Sequence, residues 1–416
     1  MNPQKIIISA ALIAAVVGGI TYLNSQKADR SSGSGAVTIT PRLSLDRGAE
    51  NAPSLEVATS SEKKTVPAAP TAVRKPLPSQ DKSKKYELAK EITTPDGFIN
   101  TDGKPVTIDQ YIGKKVILVD FWTYSCINCQ RTTPYLNAWY EKYENKGFVI
   151  IGVHTPEFEF EKVYQNVLEA TKRLGIKYPV VLDNDYSTWN AYQNRFWPRK
   201  YLIDIDGYIV YDHIGEGGYE ETEREIQKLL AERMERLGEK GVVDIAVTEE
   251  QPLSRPESPE VYFGASRNVN FGNGDRGRVG VQTLIVPEDL KRNILYLDGA
   301  WDIQGEYAEN KNVGAAIEFR YKAKEVYFVA SSPKGTTAKI YSDGVLIKGN
   351  LPAQADGAME CKVKGFCGGA DVGANGTVLI KEDRLYKLIQ NQDIEEHVLK
   401  IEIESPGLKA FTFTFG

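Results

Sequence analysis

The sequence predicts an α/β sandwich followed by an all-β antiparallel sandwich, behind a single apolar helix at the N-terminus. Three observations predict it. Residues 6–23 run apolar, broken only by Ser, Gly and Thr; residues 86–240 alternate short apolar runs with helical patterns; residues 255–416 alternate apolar and polar side chains with period two. A chain of 416 residues has room for two or three domains. Its net charge of −5 is spread without a single-sign block, which excludes the basic footprint of a nucleic-acid binder.

The first element, residues 1–23, reads as a signal anchor. As a helix the apolar run is roughly 27 Å long, marginally enough to cross a hydrocarbon core. Lys5 and the absence of acidic residues before it hold the start inside, so the remainder is exported. A cleaved signal peptide is the rival, but NSQKADRSS offers a poor cleavage site. No Cys follows the run, which excludes a bacterial lipoprotein. Residues 24–85 are rich in Ser, Ala, Pro, Thr and Lys and contain no aromatic residue, so they read as a disordered tether. Its flexible span is on the order of 40 Å.

In residues 86–240, KKVILVDFW and GFVIIGVH are apolar strands, with a helix expected between them after two cysteines. Residues 158–174 read as one helix, with Phe160, Val163, Val167, Leu168, Ala170 and Leu174 near one stripe. YPVVLD is a short strand, RKYLIDIDGYIVYDHIG a hairpin turning at Asp206-Gly207, and residues 220–237 a closing helix. TEEQPLSRPESPE marks the next joint. Beyond it, Leu399, Ile401 and Ile403 alternate with Lys400, Glu402 and Glu404, and Phe411, Phe413 and Phe415 with Thr412 and Thr414.

The chemistry concentrates in DFWTYSCINCQ, where Cys126 and Cys129 stand three apart. Gln130 rather than His follows the second, which excludes haem attachment. A zinc site would need Cys361 and Cys367 from the other domain, and His154, His213 and His397 are scattered, so no metal or cofactor is expected. A redox dithiol fits the position. Cys126 falls where a strand turns into a helix, whose N-terminal N–H groups and dipole favour a thiolate. Cys129 lies one turn inward on the same face and resolves a mixed disulfide. Cys361 and Cys367, six residues apart in a loop of an exported domain, fit a local structural disulfide.

ILVDFW-xxx-CxxC resembles the thioredoxin active-site segment, and Pro134 stands where thioredoxins kink the following helix. Trp197-Pro198 before RKYLIDIDG matches the family's cis proline, which implies a backbone lying beside the sulfurs and pairing with substrate. The resemblance makes Asp120 the buried carboxylate that moves the proton of Cys129, and Trp122 an aromatic shield over the disulfide that could equally be core. Ile127-Asn128, between the cysteines, gives no strong indication of redox direction.

The helical segment after GVHTPEFEFEK is similar to the insertion of membrane-tethered TlpA and ResA-like reductases. Glu157, Glu159 and Glu161 near its start are expected to complement the helix dipole rather than to act in catalysis. Taken together, YSCINCQRTTPYL, NRFWPRKYLID and PEVYFGASR, LDGAWDIQGEYAE and FTFG resemble the extracytoplasmic part of DipZ-like proteins, a thioredoxin module with a carbohydrate-binding-module-like sandwich. That family often begins with a multi-helix membrane electron-transfer domain, which one anchor and a tether replace here.

The resemblance implies a membrane-anchored extracytoplasmic thiol–disulfide oxidoreductase, tilted toward reduction. Its partners would be disulfide-containing exported proteins and a separate CcdA/DsbD-like membrane electron donor. Trp301, Tyr262 and Tyr307 are the aromatics to consider for sugar stacking, although a protein-contact or purely structural role is favoured, since fold does not carry function. Two rivals stand. Thr123-x-x-Cys126 has peroxiredoxin spacing, but Val119 occupies the place of its proline. The other rival is a cell-surface glycan- or protein-binding module whose CxxC is inert.

Overall fold

The computed structural model describes residues 82–243, 245–250, 252, 255–349 and 368–416. The expected anchor, nearly all of the tether, and Cys361 and Cys367 lie outside the described residues. Among the described residues no helix is long and apolar enough to cross a membrane. Lys82 is already docked: its Nζ stands 2.6 Å from Asp204 and 2.6 Å from Glu232.

The first domain is built on a six-stranded sheet, β1 (Gly97–Ile99), β2 (Val116–Trp122), β3 (Phe148–His154), β4 (Val180–Leu182), β5 (Arg199–Ile203) and β6 (Ile209–Ile214), in the order β1-β4-β3-β2-β5-β6. β2, β3 and β4 are parallel, and β5 and β6 form the antiparallel hairpin that the Asp206-Gly207 turn predicts. Helices α1 (Ile127–Tyr143), α2 (Tyr164–Arg173), α3 (Ser187–Ala191) and α4 (Tyr219–Leu237) accompany them. This is the thioredoxin fold. β2 is buried along its whole length because both faces are covered. Val116, Leu118 and Trp122 enter one core with Leu136, Trp139 and Leu230, while Ile117, Val119 and Phe121 enter the other with Trp189 and Tyr201. α1 and α4 are tied by the buried Glu223, which accepts from Trp139 Nε1 at 3.0 Å and Tyr143 Oη at 2.7 Å.

One predicted helix is two elements. Residues 159–162 form a single 3₁₀ turn, Val163 is extended (φ −74°, ψ 113°), and α2 starts only at Tyr164. The stripe expected over residues 158–174 is therefore broken, and Val163 faces solvent. The turn is pinned by side chains rather than by helix periodicity, as the site below shows.

The second domain is all-β and antiparallel. Its strands are β7 (Val261–Tyr262), β8 (Gly280–Leu284), β9 (Leu295–Ile303), β10 (Ala308–Asn310), β11 (Ala316–Ser331), β12 (Thr336–Ser342), β13 (Val345–Leu346), β14 (Thr377–Ile380), β15 (Arg384–Ile403) and β16 (Lys409–Phe415). β11 pairs with β15 along nearly its whole length, with bulges at Ala323/Glu325 and Val326/Tyr327. Its other edge meets β9 in its first part and β16 in its second, so the bulged strand serves two parts of the sheet. Leu399, Ile401 and Ile403 face one core, as their alternation requires. Trp301 is fully buried in that core, with Nε1 donating to the Asp298 carbonyl at 2.8 Å, so it is unavailable for sugar stacking. Tyr262 and Tyr307 pack at the domain junction instead.

Phe411 departs from its alternating neighbours. β16 slips by one residue against β11 between Thr412 and Ala410, so Ala410 and Phe413 both face the core and Phe411 is turned the other way. There it joins Ile127, Phe158, Tyr327, Val329 and Leu385 in a buried cluster that joins the two domains. Its ring meets Phe158 at 5.2 Å and Phe160 at 4.8 Å, both edge-on. Phe411→Ala is expected to destabilise the chain by about 3–5 kcal/mol, read as a lowered denaturant midpoint.

Candidate active site

β2 ends at Trp122, and its chain turns through Thr123, Tyr124 and Ser125 before α1 begins. Cys126 is the N-cap, with extended backbone (φ −77°, ψ 119°), and the Cys129 N–H donates to its Sγ at 3.3 Å. The sulfur thus occupies the place where a helix offers unpaired N–H groups and the positive end of its dipole. Cys126 is partly exposed, Cys129 is buried, and both are free thiols. Burial, then the hydrogen bond and charge of Cys126, push the Cys129 thiol well above its ordinary value. Cys126 is the accessible sulfur of the pair and Cys129 the enclosed one.

Asp120 lies behind them. On β2 it alternates with Leu118 and Trp122, so it faces the core that holds Cys129. It is 2% exposed, and Oδ1 finds no hydrogen-bond donor among the described residues. Burial raises its pKa to about 7, against the pull of Lys200. Lys200 is its cross-strand partner on β5, fully buried, with Nζ donating to the Gly215 carbonyl at 3.0 Å. Burial lowers the Lys200 pKa, and Asp120 opposes that shift.

The Trp197–Pro198 bond is cis. Pro198 stands one step beyond the Phe121–Arg199 pair, at the end of β2 from which Cys126 departs. Its carbonyl accepts from Gly215 N–H at 2.8 Å, and Trp197 Nε1 donates to the Thr155 carbonyl at 3.0 Å. Trp122 lies in the buried cluster that holds Cys129, with Cys126 packed against it. It is buried edge-on to His154 with ring centroids 5.1 Å apart, and a Cβ on Gly152 would stand 2.9 Å from its Nε1, which is why glycine sits there. Ile127 is covered by the second domain, while Asn128 stays partly exposed and its carbonyl accepts from Thr132 Oγ1 at 2.8 Å.

Thr123 precedes the dithiol on the loop from β2. It is fully buried, with Oγ1 3.4 Å from His154 Nε2. Burial lowers the His154 pKa to about 3, so the ring stays neutral, stacked on Tyr124.

The first turn of α2 holds no acidic residue, and Glu159 and Glu161 fall instead in the 3₁₀ turn before it. Glu157 pairs with Arg267 at 2.6 Å and accepts from Tyr262 Oη at 3.0 Å, both across the domain junction. Glu159 pairs with Lys162. Glu161 is fully buried and binds Ser125, the residue before Cys126. Its pKa is raised by burial, countered by hydrogen bonds from Ser125 and Phe158. Glu161 and Lys200 are the residues that sequence reasoning missed. A lysine inside the apolar run RKYLI was the available signal for the second; nothing in the spacing of GVHTPEFEFEK singles out Glu161.

Residues 81–230 match the Redoxin family and residues 258–416 the Thioredoxin like C-terminal domain. Over 147 residues the chain is 33% identical to the thiol-disulfide oxidoreductase ResA of Bacillus cereus, an alignment covering 35% of this chain and 80% of ResA. The chain belongs to the TlpA/DipZ-type family of thioredoxin-like disulfide oxidoreductases. Within that family it is 41% identical over 260 residues to Protein DipZ of Mycobacterium tuberculosis, covering 61% of this chain and 36% of DipZ. It is 28% identical over 142 residues to the thiol-disulfide oxidoreductase YkuV of Bacillus subtilis, covering 34% of this chain and 93% of YkuV. The alignment with this TlpA/DipZ-type chain spans about a third of the length of DipZ.

Proposed function

We propose that this chain is a membrane-anchored, extracytoplasmic thiol–disulfide oxidoreductase that reduces disulfides of exported proteins. The observation that carries the reading is the seat of Cys126 Sγ at the N-terminus of α1, 3.3 Å from Cys129 N, with Asp120 buried on the same side of the sheet. The Cys126 thiolate attacks a substrate disulfide, forming a mixed disulfide and releasing one substrate thiolate, which takes a proton. Asp120 accepts the Cys129 proton. The Cys129 thiolate attacks Cys126 Sγ, closing the intramolecular disulfide and expelling the second substrate thiolate. Two electrons leave the dithiol, and a CcdA/DsbD-like membrane donor returns them. Pro198 aligns the substrate backbone beside the sulfurs.

The reductive direction rests on the likeness to the thiol-disulfide oxidoreductases of this family. The second domain is read as a structural partner of the dithiol domain. Export and anchoring rest on residues 6–23 and on the family. Insulin reduction in dithiothreitol, followed by turbidity, tests the reading. The chain is expected to accelerate precipitation and to leave hydrogen peroxide unconsumed. Peroxide turnover without insulin reduction would replace this reading with the peroxidase.

A further inference from the structure

Glu161 sits in the insert between β3 and α2, yet half of its bonding serves the loop that delivers Cys126. Oε1 accepts from the Ser125 N–H at 3.2 Å and from Ser125 Oγ at 2.6 Å. Oε2 accepts from the N–H groups of Glu157 at 2.6 Å and Phe158 at 3.0 Å. Each oxygen therefore takes two donors, one pair from the dithiol loop and the other from its own turn. An ionised carboxylate has acceptors enough for all four, whereas a glutamine would present its NH₂ to one of the pairs. Burying such a charge is unfavourable unless several charge-assisted bonds compensate, so a fully buried glutamate on two loops implies a demand on geometry.

The turn that holds Glu161 is itself braced. Phe158 and Phe160 pack on Phe411, and Glu157 is paired with Arg267 at 2.6 Å. At the other end, Ser125 is buried and directly precedes Cys126, whose own N–H donates to the Thr123 carbonyl at 3.4 Å. With the Ser125 peptide held, the direction in which Cys126 leaves the loop and caps α1 is fixed.

We propose that Glu161 is a positioning residue for Cys126: its buried carboxylate clamps the Ser125 peptide and hydroxyl and so seats the attacking sulfur at the N-terminus of α1. This rests on the dithiol chemistry proposed above. The sequence feature is a glutamate of the insert, and its effect reaches the sulfur only through Ser125.

The test uses the full chain, fully reduced, with 5,5′-dithiobis(2-nitrobenzoate) as the disulfide attacked. The rate is read at the Cys126-bearing peptide by mass spectrometry, and circular dichroism confirms that each variant is folded. Because small misplacements of a reacting group are costly, Glu161→Gln is expected to slow Cys126 by about 10-fold or more. Ser125→Ala, which keeps the charge, is expected to slow it less, and to add nothing in the Glu161→Gln background, since both act through one clamp. A folded Glu161→Gln chain reacting at the unsubstituted rate or faster would overturn the proposal, as would full multiplication of the two effects. Should Glu161→Gln fail to fold, Ser125→Ala alone decides: slowing supports the clamp and an unchanged rate refutes it. A Cys126 inert in the unsubstituted chain would instead refute the oxidoreductase reading itself.

Discussion

Cys129→Ser is expected to leave this protein covalently joined to its substrate through Cys126, whereas Cys126→Ser is expected to abolish disulfide exchange. The asymmetry follows from where the two sulfurs lie. Cys126 is partly exposed and caps α1, so an incoming disulfide meets it first. Cys129 is buried one turn inward with its thiol pushed well above the ordinary range, so it neither meets the substrate nor ionises before the first exchange. Without Cys129 nothing attacks the mixed disulfide from within, and the complex persists. The trapped species is measured as a band on non-reducing gels that collapses with dithiothreitol. Trapping by Cys126→Ser instead of Cys129→Ser would reverse the assigned order.

Asp120→Asn is expected to stabilise the fold at alkaline pH while slowing resolution. The Asp120 carboxyl is pushed up to about 7 by burial, above its unfolded value of 3.8. Between those values the folded chain holds a proton that the unfolded chain has released. Stability is therefore greatest below the unfolded value, falls as pH rises, and has lost its full share above the folded value. Asparagine removes that penalty, so the gain is expected to be about 2–4 kcal/mol at pH 8 and close to zero at pH 3, read by denaturant midpoints at the two pH values. Resolution loses its base. The rate at which the mixed disulfide closes to the Cys126–Cys129 bond should drop by about 10²-fold and lose its rise through neutral pH. Lys200 pulls the carboxyl downward, so Lys200→Met is expected to move that rise to higher pH. An Asp120→Asn chain no more stable at pH 8, with an unchanged resolution rate, would place the proton elsewhere.

Much of this site is legible in the sequence because its physics is local. A strand running into a helix, two cysteines one turn apart and an Asp in an apolar run are set by spacing and alternation alone. Glu161 is not legible, because its partner Ser125 is 36 residues away and meets it only through the fold. Lys200 looks like a surface lysine until its neighbours on both sides are buried. Residues 158–174 misread as one helix because the apolar spacing fits, while the four bonds to Glu161 and the extended Val163 set a tighter turn. Phe411 shares its alternation with Phe413 and Phe415, and only a one-residue slip in pairing with β11 sends it to the domain junction. Period two reports which side chains share a face in an unbroken strand, and a bulge changes the face without changing the composition.

The central claim is that Cys126 and Cys129 form a working redox couple. It is tested most directly by equilibrating the full chain in dithiothreitol or glutathione buffers and reading the state of the Cys126–Cys129 peptide by mass spectrometry. One two-electron transition is expected, with a potential near that of thioredoxin, roughly −270 mV. A value near roughly −120 mV would make the protein an oxidant and contradict the reductive direction. A pair that does not equilibrate at all would contradict the claim itself.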